Sequence, residues 1–371
     1  MPTRVLIVYG TRPEAIKMAP VAWALRRRPD DFAVTLCSTA QHREMLDRVQ
    51  RALDLAPDID LDLMRPDQGL NDLAARVLTE MDRTISALAP EWLIVQGDTT
   101  TAMTAALAAF HRRVRVAHVE AGLRTGDLRS PFPEEGNRQL ADRLADLLFA
   151  PTETARQALI AEGIAPERIH VTGNTVVDAL QQIAAGLGEV PPSGEVLVTV
   201  HRRESFGAPL AEIFEAIAEL ARRFPQTRFF YPVHRNPNVH GPAHLALGGL
   251  SNVELAEPLD YVELVRHLMA CRLVLTDSGG IQEEAPTFGK PVLVLRETTE
   301  RPEGVTAGVA KLVGTDRARI VEEGSRLLAD EGTYLRMATA VQPYGDGGAG
   351  ERIAQLLAAA RDGMGRLPTS G

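Results

Sequence analysis

Short runs of β-branched and aliphatic residues alternate with longer amphipathic stretches along all 371 residues, and this alternation limits the possible folds more than any other feature. Runs near residues 4–9, 33–38, 92–96, 114–119 and 147–150 read as strands, with helical patterns between them. Strands separated by helices pair in parallel, because a parallel neighbour needs a long crossover. A cluster of chain breakers, Gly186-Leu-Gly-Glu-Val-Pro191-Pro192-Ser-Gly194, falls near mid-chain. A second set of strands follows near 195–200, 227–232, 253–256, 272–276, 291–295 and 310–313. The expectation is two doubly wound α/β domains, each with its ligand-binding residues beyond the carboxyl ends of its strands.

Composition removes several classes of partner. A net charge of -9 without a lysine-rich run argues against a nucleic-acid backbone, so a bound phosphate would have to meet a locally basic pocket. Only Cys37 and Cys271 occur, each in or beside an apolar run, which suits a reducing cytoplasm and leaves neither a disulfide framework nor a metal knuckle. No signal-peptide core precedes the first strand and no apolar stretch approaches about 18 residues, so a soluble, cytoplasmic chain without membrane contact is expected.

The motifs follow predicted strands. Residues Arg272 to Thr276 end in Asp277, after which Ser278-Gly279-Gly280 opens a helix carrying Glu283 and Glu284. Two glycines let a backbone approach a phosphate, and carboxylates one turn on can accept from ribose hydroxyls. An ordinary capped turn would be written with similar residues. Gly10-Thr11-Arg12-Pro13-Glu14-Ala15-Ile16-Lys17 follows the first strand and sets Arg12 and Lys17 beside a possible anion, although no Walker loop is present. Asp98 in Gln96-Gly97-Asp98-Thr99-Thr100, Glu120 in His118-Val119-Glu120-Ala121-Gly122, and Glu134 and Glu135 in the loop from Ser130 to Arg138 supply separated carboxylates. Each could instead cap a helix, but together they point to acid–base chemistry. His201 in Val200-His201-Arg202-Arg203-Glu204 and Arg301 in Arg296 to Glu303 complete the candidates, one able to shuttle a proton and the other to hold a pyrophosphate.

Two patterns mislead. Gly345-Asp-Gly347-Gly-Ala-Gly350 matches a dinucleotide fingerprint literally, yet Val341-Gln342-Pro343-Tyr344 before it makes no strand. His234, His240 and His244 sit among prolines without the spacing of a metal site and read as a histidine-bearing loop.

In chain order, GTRPEAIKMAP, QHREML, QGDTTT, HVEAGLRT, PFPEEGNRQ, HRRES, YPVHRNPNV, TDSGGIQEEAP, GKPVLVLRETTERPE, GTD and PYGDG run from Gly10 to Gly347. Together they resemble the bacterial non-hydrolysing UDP-N-acetylglucosamine 2-epimerases. That resemblance implies the GT-B architecture, two Rossmann-like parallel-sheet domains with a cleft between them. Residues 1–172 would form the first domain, completed by a C-terminal helix within 351–371, and residues 173–350 the UDP-binding domain. It implies contacts to UDP or sugar from Arg12, Lys17, Asp98, Glu120, His201, Ser278, Gly279, Gly280, Glu284 and Arg301, and a catalytic group of Asp98, Glu120, Glu134 and His201. No redox cofactor or metal is implied. Gln41, Gln68, Glu135, Arg203 and His234 match positions that hold a second, activating UDP-N-acetylglucosamine in relatives, though Asp67 stands where an arginine would be expected. Leu259 and Leu264 depart from the Gln and Phe that some members carry in the uridine loop. A homodimer supplying nucleotide sugar for cell-surface polysaccharide or a related glycan is the implied setting.

Chemically, interconversion of UDP-N-acetylglucosamine and UDP-N-acetylmannosamine would pass through elimination of UDP and re-addition to 2-acetamidoglucal, which accounts for several carboxylates and no nicotinamide loop. An epimerase of a 2,3-diacetamido uronic acid sugar, a hydrolysing epimerase, a retaining GT-B glycosyltransferase and a catalytically silent nucleotide-sugar sensor are the competing readings.

Overall fold

In the computed structural model, which describes residues 1–39, 43–65 and 68–363, the strands form two all-parallel sheets. The first contains β1 (Thr3–Tyr9), β2 (Phe32–Ser38), β3 (Ile59–Asp60), β4 (Trp92–Gln96), β5 (Arg115–Val119), β6 (Leu147–Ala150) and β7 (Ile169–Val171), in the order β3-β2-β1-β4-β5-β6-β7. The second contains β8 (Val196–Thr199), β9 (Phe229–Pro232), β10 (Val253–Ala256), β11 (Leu273–Thr276), β12 (Val292–Val294) and β13 (Ala310–Leu312), in the order β10-β9-β8-β11-β12-β13. Both orders reverse direction once, between β1 and β4 and between β8 and β11. Such reversals are where an open α/β sheet parts its crossover helices and leaves a crevice for ligand.

The central strands are covered on both faces, which is why they read as continuous apolar runs rather than alternating ones. Every residue of β4 is buried. β3 and β7 escaped sequence reading because they are two- and three-residue edge strands, too short to show a period. A further difference concerns the histidines: His240 and His244 lie on a helix, Pro237–Leu247, rather than a loop. Asn236 caps that helix and Pro237 occupies its first turn, where a missing N–H is harmless. The Gly345 to Gly350 stretch is not preceded by a strand, and its last residues open the helix Ala349–Gly363.

Two compact units divide the chain, Met1–Ala179 with Tyr344–Gly371, and Leu180–Pro343. Within the first, helix Ala349–Gly363 packs on helix Arg12–Arg26. Gly350 N donates to Asp178 at 2.8 Å, and Arg28 pairs with Glu351. The fit is close: a Cβ on Gly350 would stand 2.6 Å from the Pro20 carbonyl oxygen. Gly350→Val is therefore expected to lower the stability of the first unit by about 1–3 kcal/mol, measured by urea denaturation. An unchanged midpoint would mean that the two helices part without cost.

Candidate active site

The residues singled out in the sequence fall into two sets, one at the carboxyl end of each sheet. In the first unit, Thr11 caps helix Arg12–Arg26 and forms a capping box with Glu14. Glu14 does more than cap. Its carboxylate accepts Gly10 N at 2.9 Å, Thr11 N at 2.7 Å and the Thr99 hydroxyl at 2.7 Å, tying the loop after β1 to the loop after β4. Burial pushes this carboxyl above its ordinary range, and the three donors pull the other way. Gly10 must be glycine because a Cβ would meet the Thr39 hydroxyl at 2.4 Å.

One turn along the same helix, the buried Lys17 ammonium pairs with Glu120. Gln96 also donates to the Glu120 carboxylate, and Asn174 Nδ2 does so at 3.1 Å. Glu120 itself has φ 63°, a left-handed conformation that costs a non-glycine residue about 1–3 kcal/mol. Strain of this kind persists only where surroundings over-determine it, and three partners do so here. The neighbouring Gly97 also has positive φ, and its carbonyl accepts from His118 Nε2 at 2.8 Å. The other nitrogen of His118 lies 2.6 Å from Asp142. Burial works against protonating His118, but Asp142 and the Gly97 carbonyl outweigh it and raise its pKa.

Asp98 follows Gly97. Its carboxylate meets Arg138 Nη2 at 2.5 Å and its carbonyl accepts from Asn137 Nδ2 at 2.9 Å. Arg138 also contacts Glu135 at 3.2 Å, while Glu135 accepts the Thr125 amide at 3.2 Å. Glu135 is thus enclosed, whereas Glu134 is half-buried at the start of helix Glu134–Leu144 and Arg12 is half-buried at the start of its own helix.

In the second unit, Ser278 precedes helix Gly279–Glu284 without capping it. Arg301 lies against this end, its Nε donating to Glu283 at 2.7 Å and its Nη1 to Glu300 at 2.5 Å. Gly279 makes room, since a Cβ there would stand 2.7 Å from both Arg301 Nη1 and Glu300 Oε1. Glu283 thus pairs with Arg301, and Glu284 Oε1 takes the Tyr261 hydroxyl at 3.3 Å. His201, after β8, stacks on His234 with centroids 5.5 Å apart. Leu259 and Leu264, the two departures in the uridine loop, pack against a cluster that includes Phe230, Leu268 and Val274. Of the second-site candidates, Gln41 lies outside the described residues, as does Asp67. Gln68 pairs with Arg76, and Arg203 is exposed.

Residues 24–358 match the family model described as UDP-N-acetylglucosamine 2-epimerase. An Escherichia coli K12 protein named UDP-N-acetylglucosamine 2-epimerase is 50% identical, covering 95% of this chain and 98% of its own length. The chain belongs to that family. Among solved UDP-N-acetylglucosamine 2-epimerases, one from Neisseria meningitidis bound to UDP-GlcNAc is 42% identical with a TM-score of 0.88, covering 96% of this chain and 99% of its own. Another, from Methanocaldococcus jannaschii in complex with UDP-GlcNAc and UDP, is 32% identical with a TM-score of 0.81, covering 96% of this chain and all (100%) of its own. The two parallel sheets are accordingly those of the GT-B architecture shared by such epimerases.

Two measurements test the electrostatics. Glu120→Gln removes the carboxylate opposite a buried ammonium and is expected to cost about 3–5 kcal/mol in urea denaturation, most of it recovered when Lys17→Met is added. A double variant as unstable as the single would assign the loss elsewhere. For Glu300, burial alone would raise its pKa, but Arg301, Arg296 and Arg202 hold it at about 2. Because the folded value is depressed, the stabilisation is present above the ordinary value of 4.5 and is lost as pH falls through about 2. Glu300→Gln should flatten the pH dependence of the urea midpoint across that window, and an unaltered slope would count against the ion pairs.

Proposed function

We propose that this chain interconverts UDP-N-acetylglucosamine and UDP-N-acetylmannosamine without hydrolysis, by elimination and re-addition of UDP. The observation that carries the reading is the set of braced acids, Asp98 and the strained Glu120 above all, at the carboxyl ends of β4 and β5 in the first sheet. A glycine-opened helix with Arg301 beside it at the reversal of the second sheet supplies the matching phosphate-binding chemistry.

The hydrogen on carbon 2 has no neighbouring carbonyl, so a carboxylate cannot remove it from the ground state. The bond from carbon 1 to oxygen breaks first or nearly so, its electron pair going to the β-phosphate oxygen of UDP. An enzyme base takes the carbon 2 proton, and the electrons of that C–H bond become the carbon 1–carbon 2 double bond of 2-acetamidoglucal. In return, UDP oxygen attacks carbon 1 while an acid on the opposite face protonates carbon 2, which inverts it. Asp98, Glu120, Glu134 and His201 form the acid–base group, with Lys17 paired to Glu120. Arg12, Ser278, Gly279, Gly280, Glu284 and Arg301 hold UDP, where fixed donors stabilise the growing phosphate charge. No protein-bound redox cofactor enters these steps.

The same reading extends to a cytoplasmic homodimer, supported by the family resemblance, by buried free thiols at Cys37 and Cys271, and by the lack, among the described residues, of a helix long and apolar enough to cross a membrane. A second nucleotide-sugar site using Gln68, Glu135, Arg203 and His234 would be weakened by Asp67.

Asp98→Asn and Glu134→Gln are each expected to lower turnover by about two powers of ten or more. In heavy water, the product must carry deuterium at carbon 2, and oxygen label placed in the sugar–phosphate bridge must scramble into non-bridging β-phosphate positions. Interconversion with neither signature would sink the elimination route, and transfer to an added acceptor would favour a glycosyltransferase.

A further inference from the structure

Asp277 follows β11 at the strand reversal of the second sheet, and its side chain is fully buried. Oδ2 accepts two backbone amides of the loop after β8, His201 N at 2.9 Å and Arg202 N at 2.8 Å. Oδ1 has no hydrogen-bond partner among the described residues and lies 3.7 Å from His201 Nδ1. Leaving a buried acceptor unmade costs about 1–3 kcal/mol, more for a charged group. One oxygen suffices for the two amides, so holding the loop does not explain the second. The groups around it are otherwise engaged: Tyr231 donates its hydroxyl to Val200 O at 2.6 Å, Arg202 reaches Glu300 at 3.8 Å, and His234 stacks on the His201 ring.

We propose that Asp277 is a positioning residue for His201, its Oδ1 taking the Nδ1–H of the imidazole and leaving Nε2 to face the reacting phosphate. The inference rests on the reading of His201 as an acid–base group. A ring movement of about 1 Å closes the present separation to hydrogen-bond length. Because two amides already fix Oδ2, the carboxylate is oriented before the ring moves, and the tautomer follows from which nitrogen it meets. A carboxylate beside the ring also favours its protonated form. Imidazolium at Nε2 can then stabilise the β-phosphate oxygen as it takes the electron pair from carbon 1, and that oxygen returns the pair to carbon 1 on re-addition. Burial pushes the Asp277 carboxyl above its ordinary range, with His201 and the loop amides acting in the opposite direction.

Nitrogen-15 NMR of the full-length protein provides the test, with the His201 signals assigned by their loss in His201→Gln. In the unaltered protein, neutral His201 should carry its proton on Nδ1. In Asp277→Asn its pKa should fall by about one unit or more. The alkaline limb of kcat should fall by the same amount, with KM for UDP-N-acetylglucosamine changed by less than about threefold. Neutral His201 protonated on Nε2, or an unchanged pKa in Asp277→Asn, would overturn the pairing. The tautomer is read without any change at Asp277, so misfolding of that variant does not remove the decision. Normal turnover of His201→Gln alongside an Nδ1–H tautomer would leave the pairing standing and remove His201 from the reaction.

Discussion

An ammonium group taken out of water must be matched by a carboxylate, and at Lys17 that requirement organises the first unit. Glu120 answers it from the end of β5, held in a left-handed turn that the strand would not otherwise adopt. Gln96 and Asn174 converge on the same carboxylate from β4 and from the start of helix Thr175–Leu187. The helix after β1, the ends of β4 and β5, and the segment after β7 are therefore tied through one charged centre. Desolvation makes such a centre costly to build and costlier to leave half-built, so its members behave as a unit.

The second unit solves a different problem with the same means. Arg296 and Arg301 are largely withdrawn from water, and Glu300 sits between them, bonded to both. Glu283 completes the set from the helix that Gly279 opens. The positive charge beside that helix is therefore already shared among carboxylates. In the proposed reaction, a diphosphate at this helix would compete with those carboxylates for the charge rather than meet a bare cation.

How far the sequence could be read depended on the range of the signal. Buried parallel strands are local and periodic, so β1, β4 and β11 were visible as apolar runs, while the edge strands β3 and β7 were not. The capping box of Thr11 and Glu14 was also written locally, although nothing nearby suggested that Glu14 reaches Thr99, 85 residues away. Asp98, Glu120 and Arg301 stood out because each follows a strand. Gln96, Asn174 and Arg138 did not, because an amide or a guanidinium becomes informative only when the fold delivers it to a particular carboxylate. The pairing of Glu283 with Arg301, and the packing of Leu264 against a cluster, belong to the same tertiary level.

Closure of the first unit by helix Ala349–Gly363 has a consequence for the order in which the protein can be made. Synthesis from the N-terminus delivers Met1–Ala179 first, but the helix that covers Arg12–Arg26 emerges only after the whole of Leu180–Pro343. On a ribosome the contiguous second unit can reach its final packing before the earlier one has all its parts. Until then Pro20 and its neighbours lack their covering, and a nascent chain stalled before Ala349 would hold one finished sheet domain and one waiting for its last helix.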